Sequence, residues 1–131
     1  MKIDHIGIAV RDIEQALQVY QVALGLPLLE ILDVPDQQVR VAFLPVGESK
    51  IELVQPSDET SGTARFIEKR GEGIHHICVQ VDDIEAALEQ LKANGVPLID
   101  KEPRPGAHGR VAFVHPKGTN GVLLELVEHA G

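Results

Sequence analysis

The sequence predicts an α+β fold built from two tandem βαβββ modules, and three repeated blocks support this prediction. The longest repeat pairs residues 5–17 with 76–88, which are identical at eight of thirteen positions. Two shorter blocks recur in the same order: Arg40-Val-Ala-Phe43 as Arg110-Val-Ala-Phe113, and Ile51-Glu-Leu-Val54 as Leu124-Glu-Leu-Val127. A duplicated module with a pseudo-twofold axis explains all three.

The length of 131 residues suits a single domain. The repeats divide it into a first module of about residues 1–56, a linker of about 57–72 and a second module of about 73–131.

In the first module, residues 2–10 alternate as a strand, with His5, Gly7 and Ala9 on one face. Asp12 is expected to cap the following helix, which Gly25 ends. The helical stripe consists of Ile13, Ala16, Leu17, Tyr20 and Leu24. Three strands are then predicted at residues 27–33, 38–45 and 49–55, with a turn around Val46-Gly47-Glu48.

In the second module, the predicted first strand spans residues 74–81, and Asp82 with Glu85 is expected to begin the helix. Its apolar stripe consists of Ile84, Ala87, Leu88 and Leu91. Strands are predicted near residues 96–100, 109–115 and 121–128, and a short helix at 64–69 in the linker.

Composition narrows the possible partners and compartment. Twelve basic against twenty acidic residues give a net charge of −8, which argues against nucleic acid and anionic membranes. No apolar run is long enough to span a bilayer, and the N-terminal residues do not resemble a targeting peptide. The single cysteine, Cys78, excludes an internal disulfide. We therefore expect a cytoplasmic protein.

Superposing the repeats pairs His5 with His76 and Glu52 with Glu125. Each glutamate lies within an apolar strand, where a carboxylate is costly to bury unless it is paired or bound to metal. Two nitrogen and two oxygen ligands suit an octahedral divalent ion with two open positions, and Co²⁺, Mn²⁺, Ni²⁺ and Zn²⁺ all fit. The sequence therefore predicts one metal site with these four ligands.

The remaining histidines are weaker candidates for metal ligands. His75 is the nearest competitor of His76, but the repeat aligns it with an aspartate. We expect His115 to lie in a turn, His108 in a solvated loop and His129 at a frayed C-terminus. Cys78 is expected to be a small packing residue.

With these motifs assembled, the chain resembles the vicinal oxygen chelate (glyoxalase/bleomycin resistance/dioxygenase) superfamily and, within it, the methylmalonyl-CoA epimerases. The resemblance covers the whole chain. It rests on Asp4-His-Ile-Gly-Ile-Ala-Val10, Val39-Arg-Val-Ala-Phe-Leu-Pro45, Lys50-Ile-Glu-Leu53, Gly71-Glu-Gly-Ile-His-His-Ile77, His115-Pro-Lys117 and Gly121-Val-Leu-Leu-Glu-Leu126.

The resemblance implies a curved mixed sheet around one metal ion, a homodimer and an acyl-CoA substrate. The metal ligands fall on His5, Glu52, His76 and Glu125, with Co²⁺ the first expectation and Mn²⁺, Ni²⁺ or Zn²⁺ as alternatives. The implied reaction interconverts (R)- and (S)-methylmalonyl-CoA through a metal-chelated enolate.

Two residue roles in this reaction come from the chain itself. The repeat offers Glu52 and Glu125 as the two proton carriers that epimerisation requires. Lys117 and Arg110 are candidate ligands of the CoA phosphates, although both are equally well explained as surface charges.

Two other functions stay open. A glyoxalase I-type lactoylglutathione lyase, which the chain also resembles, uses two histidine and two glutamate ligands. A metal-free small-molecule binding or resistance module is the alternative outside enzymes, but it has no need of four ligand-type residues at symmetric positions. A dioxygenase would use two histidines and one carboxylate, so the second glutamate counts against it.

Overall fold

The computed structural model describes residues 1–130 and confirms the α+β class and the βαβββ order of each half. The strands are β1 (Lys2–Ala9), β2 (Glu30–Val34), β3 (Val39–Val46), β4 (Ser49–Pro56), β5 (Gly73–Gln80), β6 (Arg104–Pro105), β7 (Gly109–Val114) and β8 (Leu124–His129). The helices are α1 (Ile13–Leu17), which continues as a π-helical segment at Gln18–Ala23, α2 (Gly62–Arg70) and α3 (Ile84–Ala93). Among the described residues, every helix is too short or too polar to span a bilayer.

Chain contacts separate the protein into two compact units. The first unit is His5–His75, and the second combines Met1–Asp4 with the residues from His76 onward. The linker helix α2 thus belongs with the first half.

The first unit contains a mixed sheet in the order β2-β3-β4-β1. β1 runs parallel to β4, while β3 pairs antiparallel with both β2 and β4. One face of this sheet is covered by α1, whose Ile13 and Leu17 are buried. The core residues on the sheet side are Ala42, Leu44 and Leu53, together with Val10, which directly follows β1.

The second unit repeats this arrangement in the order β5-β8-β7-β6, with β5 parallel to β8 and β7 antiparallel to β6 and β8. Ile84 and Leu88 of α3 cover one face. The strand residues beneath the helix are Ala112, Val114 and Leu126. Because side chains alternate along a strand, the other face holds Cys78, Val111 and Val127.

The first helix begins as predicted, because the Asp12 side chain accepts the Gln15 N–H at 3.1 Å. The prediction that Asp82 begins the second helix was wrong. The N-cap is Asp83, which accepts the Ala86 N–H at 3.0 Å. The repeat pairs Asp12 with Asp83, so the correct residue was present in the alignment.

The predicted strand at residues 96–100 was also wrong, since Leu98 makes only an isolated bridge to Val114. The backbone N–H groups of Ile99 and Asp100 both donate to the carbonyl of Phe113. The Phe113 N–H in turn donates to the Asp100 side chain at 2.8 Å. A carboxylate thus replaces a backbone carbonyl in the ladder, and the two-residue β6 forms later in the chain.

The last strand begins at Leu124 instead of residue 121. Asn120 and Gly121 have φ values of 61° and 86°, a left-handed turn that cannot continue into a strand.

We predict that Asp83→Ala lowers the free energy of unfolding by about 1 kcal/mol, because the Ala86 N–H loses its capping partner. Urea unfolding followed by circular dichroism measures this. Asp82→Ala is the matched control and should change stability by less than about 0.5 kcal/mol. Equal losses in the two variants would contradict the assigned cap.

Candidate functional site

The first unit contains a buried histidine–glutamate pair on the sheet face opposite α1. His5 lies on β1 and Glu52 on β4, and the His5 Nδ1 is 2.9 Å from the Glu52 Oε2. Their residues are 6% and 7% exposed. Phe43 stands directly opposite Glu52 in the β3–β4 ladder, so its ring shares this face.

The second unit builds the same pair from the same strands. His76 on β5 places its Nε2 3.1 Å from the Oε1 of Glu125 on β8. These residues are 7% and 4% exposed. Phe113 stands opposite Glu125, and its ring meets the His76 ring edge-on with centroids 6.0 Å apart.

Each half therefore brings together the imidazole and carboxylate that the repeat predicted. His75 does not take this role. It is half-buried, and its ring packs edge-on against Phe66 with centroids 4.9 Å apart.

The donor atoms of these pairs suit a divalent metal ion. Imidazole nitrogen and carboxylate oxygen are the ligands that first-row divalent ions take in the absence of thiolates. Cys78 is fully buried with Val111 and Val127 in an apolar cluster, which confirms its expected packing role. A carboxylate next to an imidazole is also a group that can exchange protons with a bound substrate.

The residue three positions after each glutamate points to the helix side of the sheet, because odd spacings reverse the face of a strand. The Gln55 Oε1 accepts the Ile13 N–H at 2.8 Å, and the Glu128 Oε1 accepts the Ile84 N–H at 2.9 Å. The last strand of each half, β4 or β8, thus uses the face opposite its buried glutamate to hold the N-terminus of the helix in that half.

The two candidate phosphate ligands differ in their surroundings. The Arg110 guanidinium lies 3.0 Å from both Glu128 and Glu85, and these carboxylates raise the pKa of Arg110. A phosphate at Arg110 would compete with both. Lys117 is exposed in the turn Pro116–Gly118.

Two other histidines have defined partners. The His115 Nδ1 accepts the Lys117 N–H at 3.0 Å, which fits the predicted turn position. The prediction that His129 lies at a frayed end was wrong. His129 ends β8, and its Nε2 is 2.6 Å from the Oδ1 of buried Asp4.

Sequence reasoning missed the role of two residues near the second pair, Phe113 and Arg104. The Arg104 Cζ lies 5.6 Å from the centroid of the Phe113 ring. The signal for Phe113 was present, since the repeated Arg-Val-Ala-Phe block places a phenylalanine in both halves. No repeat marks Arg104.

Comparison with known proteins identifies the group to which these features belong. The model of the glyoxalase/bleomycin resistance protein/dioxygenase superfamily matches residues 4–113. An ethylmalonyl-CoA/methylmalonyl-CoA epimerase of Cereibacter sphaeroides is 44% identical over 128 residues, covering 95% of this chain and 96% of that protein. The human mitochondrial methylmalonyl-CoA epimerase is 40% identical over 127 residues, covering 95% of this chain and 72% of that protein.

A solved structure of an epimerase is also similar to this chain in fold and in sequence. The crystal structure of methylmalonyl-CoA epimerase from Mycobacterium tuberculosis matches with a TM-score of 0.95 at 40% identity, covering 99% of this chain and 89% of that chain.

We predict that Glu128→Gln destabilises the protein at neutral pH and that the deficit disappears in acid. The Ile84 N–H, and then Arg110, hold the pKa of Glu128 below its usual value. This stabilisation is complete above the unfolded-state pKa and is lost as the pH falls below about 4.3 and through the folded-state pKa. Glutamine keeps an acceptor for Ile84, as Gln55 does for Ile13, but loses the charge.

Urea unfolding at a series of pH values measures the difference between the parent and the variant. Glu89→Gln, which removes an exposed contact to Lys92, is the control and should show almost no deficit. A Glu128→Gln deficit that stays constant or widens in acid would contradict the role assigned to this carboxylate.

Proposed function

Because this chain belongs to the methylmalonyl-CoA epimerase family of the glyoxalase/bleomycin resistance/dioxygenase superfamily, we propose that it interconverts (R)- and (S)-methylmalonyl-CoA. The observation that carries the proposal is the buried imidazole–carboxylate pair that each half builds from equivalent strands. Epimerisation removes a proton from one face of a carbon and returns one to the other face. Two equivalent carboxylates suit that requirement.

We propose that His5, Glu52, His76 and Glu125 together hold one divalent metal ion, with Co²⁺ the first candidate and Mn²⁺, Ni²⁺ or Zn²⁺ as alternatives. Support comes from the chemistry of the four donors and from their burial, since a carboxylate buried in an apolar strand is costly unless it is paired or bound to metal. When bound, such an ion supplies Lewis-acid stabilisation of the negative charge that develops on the substrate oxygens.

Glu52 and Glu125 also hold and move the proton. One carboxylate accepts the proton from carbon 2 as the C–H bond breaks and an O–H bond forms, and the electron pair of the C–H bond is delocalised onto the thioester oxygen until reprotonation returns it to carbon 2. The other carboxylate, in its protonated form, returns a proton to the opposite face of the same carbon. The ring nitrogens of His5 and His76 lie 2.9 and 3.1 Å from the carboxylates of their own halves, so each imidazole is proposed to bind the same ion as its neighbouring carboxylate.

Lys117 is the stronger candidate for binding the CoA phosphates, because it is exposed. Arg110 remains a second candidate, which requires that phosphate displace Glu85 or Glu128.

The proposal includes a homodimer and a cytoplasmic location. Large apolar side chains that are about three-fifths or more exposed, such as Val22, Leu24 and Leu29, support association with a second copy. The single, fully buried thiol of Cys78 is consistent with a reducing compartment.

We predict that His5→Ala and His76→Ala each weaken Co²⁺ binding by more than about a hundredfold, because replacing only an outer-shell partner already costs up to that factor. Metal content after gel filtration and spectroscopic titration with Co²⁺ measure the effect, and circular dichroism verifies the fold. His75→Ala is the matched control. Loss of metal from His75→Ala but not from His76→Ala would show that the ligand register is wrong by one residue.

We predict that the metal-loaded protein replaces the carbon-2 proton of both methylmalonyl-CoA epimers with deuterium in heavy water, and that a chelator prevents this. Proton NMR follows the loss of the signal. Glu52→Gln keeps an oxygen ligand but cannot accept a proton. This variant should exchange one epimer only and interconvert the two about 10²–10⁴-fold more slowly.

Glu125→Gln should exchange only the opposite epimer. Near-normal interconversion by either variant would restrict that glutamate to metal binding. No exchange by the parent protein, together with turnover of a glutathione hemithioacetal, would replace the epimerase proposal by the lyase.

A further inference from the structure

The proposed substrate is asymmetric, whereas the two halves of the protein provide equivalent histidine–glutamate pairs. Carbon 2 of methylmalonyl-CoA carries a neutral thioester on one side and an anionic carboxylate on the other. Two equivalent halves cannot by themselves distinguish these groups. A residue that differs in charge between equivalent positions of the two halves would provide the distinction.

Such a position occurs on the strands that flank the two buried pairs. Val41 and Val111 are equivalent in the repeated Arg-Val-Ala-Phe block. Leu32 of β2 is the register partner of Val41, and Arg104 of β6 is the register partner of Val111. Leu32 packs on the apolar cluster of its own half. The second half therefore presents a cation where the first presents a leucine.

Arg104 lies on the same sheet face as the second pair. Register partners in an antiparallel ladder lie on the same face of the sheet. Arg104 therefore lies on the same face as Val111, and Phe113 on the same face as Glu125. Val111 and Phe113 are two residues apart, which joins these groups on one face. The guanidinium contacts the Phe113 ring, and that ring contacts His76.

Asp100 positions both members of this contact. Its Oδ1 lies 3.5 Å from the Nε of Arg104, and its Oδ2 accepts the Phe113 N–H. The Arg104 side chain is 35% exposed, so a small ligand can reach it. Arg110 differs, because it points to the helix side with Glu85 and Glu128.

We infer that Arg104 binds the free carboxylate of the substrate acyl group and thereby fixes which arm of carbon 2 is the thioester. This inference rests on the proposed function. The guanidinium presents a planar fork that matches a carboxylate. Arg104 and His76 both contact the Phe113 ring, whereas the CoA phosphates lie at the far end of the pantetheine arm. The assigned ligand is therefore the acyl carboxylate.

The test compares the binding of methylmalonyl-CoA and propionyl-CoA, which lacks the carboxylate, by titration calorimetry with Co²⁺-loaded protein. Arg104→Met keeps the length of the apolar stem and removes the charge. We expect it to weaken methylmalonyl-CoA binding about 10- to 100-fold, the value of a charge-assisted hydrogen bond. Propionyl-CoA binding should not change.

Two variants serve as references. Arg70→Met removes an arginine placed 5.7 Å from the Phe66 centroid, a similar contact in the other unit, and should leave both affinities unchanged. Arg104→Lys keeps the charge and should bind methylmalonyl-CoA more tightly than Arg104→Met does. Equal losses in the lysine and methionine variants would assign the effect to packing on Phe113 and overturn the inference.

Equal weakening of both ligands in Arg104→Met would assign the cation to the CoA phosphates and overturn the carboxylate assignment. Unchanged binding of both ligands by the folded variant would overturn it as well. These results are independent of turnover. A parent protein that binds methylmalonyl-CoA without exchanging its carbon-2 proton would refute the epimerase proposal while still reporting on Arg104.

Discussion

Both halves of the structure depend on burying a carboxylate within an apolar strand. Glu52 and Glu125 are flanked by isoleucine or leucine residues that pack beneath a helix. An unpaired carboxylate at such a depth would cost several kcal/mol. The adjacent imidazole provides the compensating partner in each half. Strand alternation lets the same few residues provide a core on one face and a reactive pair on the other.

On the helix side of each sheet, a side chain of the last strand accepts an N–H at the helix N-terminus in both halves, but the accepting group differs. Gln55 holds the first helix through a neutral amide, whereas Glu128 holds the second through a carboxylate that also binds Arg110. Arg40, the equivalent of Arg110, lies 3.5 Å from Glu14. The backbone arrangement is preserved while the charges differ. The opposite face of each sheet, which carries the histidine–glutamate pair, also differs in charge between the halves. Leu32 and Arg104 occupy equivalent register positions there.

Much of this arrangement could be predicted because duplication places equivalent residues in equivalent positions. The paired histidines and glutamates follow from the repeat alone, and alternation assigns their face. Three features could not be predicted, since each depends on a side-chain contact that the repeat does not duplicate. The Asp100 side chain enters a backbone ladder, Asp4 meets His129 across 125 residues, and Arg104 packs on Phe113. The error at Asp82 was different, because the repeat already indicated Asp83.

Glu125 and Glu128 belong to one strand but serve opposite faces. If β8 slipped by one residue against its neighbours, Glu125 would turn into the core beneath α3, and Ile84 would lose its acceptor. Such a misfolded form would contain a solitary buried charge and a helix whose first N–H has lost its acceptor at the same time. The three-residue spacing of Glu125 and Glu128 therefore disfavours a one-residue slip of β8. Conformers unable to form the reactive pair are also the ones that folding disfavours.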